Sequence, residues 1–109
     1  MIKPSHREKK RYVKFQILPK EMKLEENEVE KAIIKECHDF LGDYGMAKAG
    51  IVFLREKFNK EKKEGIIRVN NKYVNKLKMA LGLIKKINNK KITIHIPKVS
   101  GIIKKLQVK

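Results

Sequence analysis

Residues 65–84, GIIRVNNKYVNKLKMALGLI, decide how the chain folds. An apolar run broken by one arginine, Ile66, Ile67, Arg68 and Val69, passes through Asn70 and Asn71 into three- and four-residue steps at Tyr73, Leu77, Ala80, Leu81 and Ile84. The first part carries the two-residue period of a strand, the second the 3.6-residue period of a helix. Alternation sends Ile67 and Val69 to one face of the strand and Ile66, Arg68 and Asn70 to the other, so one face is core and the other half polar. Lys72, Lys76, Lys78, Lys85 and Lys86 lie mostly off the helix's apolar stripe. Asn70 or Asn71 can cap its first amides. A basic helix behind a strand that displays an arginine suits a polyanionic partner.

Towards the N-terminus, a first strand is expected over Arg11–Leu18, with Val13, Phe15 and Ile17 facing the core and Tyr12, Lys14 and Gln16 opposite. Pro19 ends it. A helix follows from about Asn27, its first turn acidic as the helix dipole favours. Its stripe is Val29, Ala32, Ile33, Cys37, Phe40 and Leu41, and Gly42 supplies the stop. The glycine-rich loop GDYGMAKAG then holds Lys48 just ahead of a second strand, Ile51–Arg55, and a lysine-rich turn at residues 59–63 returns the chain to Gly65 as a hairpin.

Beyond the deciding stretch, Asn88 and Asn89 mark a turn. Lys91–Ile96 alternates, with Ile92, Ile94 and Ile96 inward and Lys91, Thr93 and His95 outward, until Pro97 ends the strand. A short helix or extended tail begins at Ser100. The order strand, helix, strand, strand, helix, strand predicts an α+β, ferredoxin-like (RRM-like) βαββαβ sandwich, a four-stranded antiparallel sheet with two helices on one face. Residues 1–10 read as a flexible basic arm and residues 11–109 as a single domain.

At 109 residues the chain suits one domain. Its net charge of +16, from 28 Lys and Arg against 12 Asp and Glu, points first to nucleic acid. A membrane surface fits less well, because no apolar run approaches a spanning length and the N-terminus lacks a signal-peptide core. A soluble, cytoplasmic protein is expected. Cys37, the only cysteine, excludes an internal disulfide and falls on the apolar stripe. There are 24 lysines and 4 arginines, so each arginine, able to make planar bidentate contacts, carries more information than each lysine.

Catalytic chemistry finds no foothold. His6, His38 and His95 are scattered without zinc-ligand spacing, and no Ser, His and Asp arrangement suggests a nucleophile. An acylphosphatase-type site needs an arginine after the first strand, where this chain has PKEMKLEEN. RNA-recognition modules stack bases on aromatics of the central strands, yet KEGIIRVN offers none. RNA contact is therefore expected on the arm, the loop lysine and the helix ends as well as on the strand arginine.

Four segments, KRYVKFQIL (10–18), FLGDYGMAKAGIVFL (40–54), GIIRVNNKYVNKLKMALGLI (65–84) and VSGIIKKL (99–106), resemble in order and spacing the archaeal ribonuclease P protein component 2 family, shared with a eukaryotic ribonuclease P and MRP subunit. The pattern departs at Ile102, where the family has Thr. The resemblance implies a non-catalytic subunit that binds the catalytic domain of the ribonuclease P RNA and supports removal of the 5′ leader from precursor tRNA. The partners it implies are that RNA, precursor tRNA indirectly, the barrel-shaped protein component 3, and a second copy of the chain within a heterotetramer. No cofactor is expected on the protein; magnesium belongs to the RNA.

The expected RNA contacts are Arg68, matching the family's strand arginine; Lys48, through its ammonium and nearby amides; and the arm residues Arg7, Lys9, Lys10 and Arg11 with Lys14 on the first strand. Ser100 and Gly101 would add the exposed amides of a helix start, with Lys104 and Lys105 supplying charge. Two other readings share the charge: a protein interaction module that uses the sheet edge or a helix surface, and another ribosomal or RNA-processing protein of the same fold.

Overall fold

A computed structural model describes residues 9–102. The elements are β1 (Lys10–Leu18), α1 (Glu26–Ala49), β2 (Val52–Phe53), β3 (Glu64–Asn70), α2 (Val74–Leu83), β4 (Lys86–Ile87), β5 (Lys90–Lys91) and β6 (Thr93–Ser100). The main sheet runs β2-β3-β1-β6, and both of its longer pairings with β1 are antiparallel. This is the ferredoxin-like order, with a small β4–β5 hairpin inserted before the last strand.

The core lies between the sheet and the helices. Val13, Phe15 and Ile17 of β1, Ile67 and Val69 of β3, Val29, Ile33 and Cys37 of α1, and Leu77, Ala80 and Leu81 of α2 are all fully buried. Each large side chain so placed contributes about 1.5–3 kcal/mol before conformational entropy is subtracted. Phe15 packs against Phe53 and Phe58, with ring centroids 5.9 and 6.3 Å away. The ring of Phe15 lies over its cross-strand partner Gly65, where an added Cβ would come within 2.7 Å of Cζ. Gly65 is the gap this aromatic cluster fills.

Several boundaries differ from the sequence expectation. Gly42 does interrupt α1, leaving helical geometry at φ 74, ψ 175, but the chain does not enter a loop there: beyond this kink a second helical segment runs through Ala49 to a left-handed cap at Gly50 (φ 60, ψ 39). Residues 43–49 are therefore helix rather than loop. The buried residues Val29, Ile33 and Cys37 step by four, which rotates the contact line about 40° each time, so it has left Phe40 by the last turn before the kink. Phe40 is 37% exposed.

The second strand is shorter than Ile51–Arg55, because Arg55–Lys57 turns into a single 3₁₀ turn once Phe53 is buried. A further 3₁₀ turn, Asn71–Tyr73, precedes α2, and neither Asn70 nor Asn71 caps a helix with its side chain. Pro97 does not end the last strand. β6 runs through it to Ser100, and the register with β1 slips by one residue between Lys14 and Gln16. A proline without an N–H is tolerated at such a bulge on an edge strand. Residues 98–100, expected beyond the strand, therefore belong to it.

Candidate nucleic-acid interface

Described parts of the four sequence segments singled out above meet at one end of the sheet. β3 and β6 both run antiparallel to β1, so the start of β1, the end of β3 and the end of β6 lie together: Lys10 pairs with Asn70, and Tyr12 with Ser100. The end of α1 arrives at the same place. Asn70, buried although polar, holds these elements in register. Its Nδ2 donates to the carbonyl of Lys48, and its Oδ1 accepts from the ammonium of Lys10. The amide of Asn71 donates to the carbonyl of Lys9 at 2.7 Å.

Gly50 is required twice over. Its φ of 60° is left-handed, and an added Cβ would sit 3.1 Å from the Asn70 side-chain oxygen. The AKAG sequence is thus a helix end shaped to admit Asn70. On the other flank of β1, Gly101 leaves room for Arg11: a Cβ there would lie 2.9 Å from Nη1 of Arg11.

Lys9, Lys10, Arg11, Lys48, Ser100 and Gly101 are accordingly brought together at this end. Arg68 lies two residues from Asn70, on the sheet face away from the helices, between its cross-strand partners Tyr12 and Val52. Its Nε is buried without a hydrogen-bond partner, and none of the ion pairs among the described residues involves it. The same holds for Lys10, Arg11 and Lys48, whose charges have no carboxylate partner there.

Lys14 is placed differently. Its ammonium pairs with Glu64 at 3.6 Å, both side chains being largely buried, so its charge is balanced within the protein. Lys48 also corrects an expectation. It sits in the last turn of α1, where amides serve the helix and carbonyls face outward, so it offers a phosphate its ammonium but no loop amides. That ammonium rests 5.4 Å from the Tyr44 ring centroid. At Ser100, the hydroxyl accepts the amide of Ile102 at 3.0 Å, so that amide is already occupied. Arg7, Lys104 and Lys105 lie outside the described residues, as do residues 1–8 of the expected basic arm; Lys10, expected to belong to that arm, instead opens β1, paired with Asn70.

Sequence reasoning missed the part played by Asn70, which it treated as a helix cap. A buried amide that bridges a helix end and two strands has no local sequence signal. Cys37 is a core residue, and burial pushes its thiol up to about 12. Among the described residues, no helix is long and apolar enough to cross a membrane.

A family model described as the Rpp14/Pop5 family matches residues 11–109. A Thermococcus gammatolerans protein named ribonuclease P protein component 2 is 41% identical over 106 residues, covering 97% of this chain and 86% of that relative. Proteins of the same name from Pyrococcus furiosus and Methanocaldococcus jannaschii are each 36% identical over 106 residues, covering 97% of this chain and 86% and 75% of theirs. A chain in the cryo-EM structure of yeast ribonuclease MRP is similar with a TM-score of 0.70 at 17% identity, covering 98% of this chain and 84% of its own, a likeness of fold.

Proposed function

The chain belongs to the Rpp14/Pop5 family, and on that premise we propose that it is a non-catalytic protein subunit of ribonuclease P. In this role it binds the catalytic domain of the ribonuclease P RNA and steadies its fold while the RNA, with its own magnesium ions, removes the 5′ leader of precursor tRNA. The observation that carries the reading is the gathering of Lys10, Arg11, Lys48 and Arg68 at the Asn70 end of the sheet, with no carboxylate among the described residues paired to any of them. Cations held in a fixed array and left unbalanced are suited to phosphates. They replace part of the screening that magnesium otherwise provides, so the RNA folds at a lower metal concentration.

The test is the salt dependence of binding to the ribonuclease P RNA. Contact with roughly five or six phosphates gives a log-log slope of about four to five units. A complex insensitive to salt would overturn the reading.

A protein-binding role has its own support. Met79 and Leu83, one helical turn apart on α2, are 60% and 52% exposed, an apolar pair that a partner subunit could cover. Protein component 3, and a second copy of this chain alongside it, are the partners proposed. A complex with component 3 that survives nuclease treatment supports direct protein contact.

A further inference from the structure

We propose that the β4–β5 hairpin is a second RNA-backbone site, at the opposite end of the sheet from the Asn70 junction; this rests on the RNA-binding role just proposed. All 12 Asp and Glu of the chain precede residue 65, whereas residues 65–109 contain 12 Lys and Arg and no acid. Before residue 65 part of the charge is balanced internally: Lys14, Lys35, Arg55 and Lys60 each pair with a carboxylate. From residue 65 onward there is no acid, and the hairpin concentrates the lysines.

Lys86 and Lys91 stand directly opposite each other in the ladder, and Lys90 faces Ile87. Like charges so placed oppose strand pairing. Nothing in the hairpin offsets them: Glu36 of α1 lines the same shallow depression as Lys85 and Lys86 but forms an ion pair with neither.

The hairpin is nevertheless firmly built. Asn88 and Asn89 both adopt left-handed φ, 52° and 64°, as a two-residue turn of this hand requires. Ile87 and Ile92 are buried at 2% and 5% exposure and anchor it to the core. The amide of Ile92 donates to the carbonyl of Lys85 at 2.9 Å, which extends the ladder to the hairpin's base. Lys85, Lys86 and Lys91 are exposed on this rigid projection.

A polyanion relieves the repulsion between those lysines, and phosphates are favoured over a protein surface. Both isoleucines face inward, so the hairpin has no exposed apolar anchor, and lysine is depleted in protein interfaces. Thr93 at the start of β6 pairs with Leu18 at the end of β1. The hairpin is thus separated from the Asn70 junction by the nine residues of β1, about 27 Å at roughly 3.3 Å per residue. Two such sites on one rigid body grip RNA at two separated points of its backbone.

The experiment measures affinity for the ribonuclease P RNA across a salt series for the full chain, for Lys85→Gln/Lys86→Gln/Lys91→Gln, and for a control triple, Lys20→Gln/Lys31→Gln/Lys62→Gln, exposed lysines from the part of the chain before residue 65. The hairpin triple should lower the log-log slope by about two units, with thermal stability equal to or above that of the unaltered protein, while the control moves the slope by less than half a unit. A steep unaltered slope that the hairpin triple leaves in place, or that both triples lower equally, overturns the hairpin site. So does loss of protein partner binding with RNA binding intact. A flat slope for the unaltered protein overturns instead the RNA-binding role on which the inference rests.

Discussion

The side-chain amide of Asn70, at the end of β3, donates to the backbone carbonyl of Lys48 in the last turn of α1. One buried polar group thereby ties a helix terminus to the central strands, while the same side chain accepts from Lys10 at the start of β1. The cationic end of the sheet is therefore fixed by a hydrogen-bonded joint, and disturbing that joint should affect stability and binding together.

Asn70→Ala removes both contacts and leaves the Lys48 carbonyl short of a donor. A loss of about 1–3 kcal/mol in urea unfolding is expected, with weaker RNA binding under conditions where the variant remains folded. Asn70→Asp should not restore the protein, because a carboxylate cannot donate to a carbonyl. Full stability in either variant would show that the joint is dispensable.

Gly50→Ala meets two obstacles, a left-handed φ and the Asn70 amide 3.1 Å from the new Cβ. It should destabilise by about 1 kcal/mol or more. Gly42→Ala meets no atom within 4 Å, but φ 74 with ψ 175 is a conformation open essentially to glycine alone, so it should cost about 1–3 kcal/mol through the backbone rather than through a contact. A loss at Gly50→Ala that is unchanged when Asn70 is also replaced by Ala would contradict the close approach at Gly50.

Arg68→Ala separates binding from folding. Its Nε is buried without a partner, so truncation removes a poorly solvated group, and the unfolding midpoint should change little. RNA affinity should fall by about 1–3 kcal/mol, roughly tenfold or more. Unchanged affinity and unchanged partner assembly would remove Arg68 from the interface.

Cys37 should resist alkylation in the native protein at pH 8, since its thiol is buried and its pKa is pushed up to about 12. In urea the pKa returns to about 8.5 and the thiol should react readily. Fast labelling of the folded chain would contradict the packing of α1 on the sheet.

Much of this architecture was legible because periodicity reports directly on burial. Ile67 and Val69, Val13, Phe15 and Ile17, and Leu77, Ala80 and Leu81 were all assignable to the core from spacing alone, and each is fully buried. What escaped depended on contacts distant in sequence. Gly42 was legible as a break, but the second helical segment that follows it to Gly50 was not, and the contact of Gly50 with Asn70, twenty residues further on, has no local signal. Pro97 reads as a strand breaker until the strand proves to be an edge with a bulge. Lys14 was grouped with RNA-facing lysines because its partner, Glu64, lies on another strand. Arg68 and the cluster of segments around it were recognisable in order and spacing, but their meeting at one end of the sheet follows only from the antiparallel register.

The most direct measurement of the proposed role is cleavage of precursor tRNA by the ribonuclease P RNA, reconstituted with protein component 3 at limiting magnesium, with and without this chain. Faster leader removal at low magnesium when the chain is present, with the difference closing as magnesium is raised, is the predicted result. Equal cleavage with and without it across the magnesium series, or leader removal by the protein in the absence of RNA, would contradict the role.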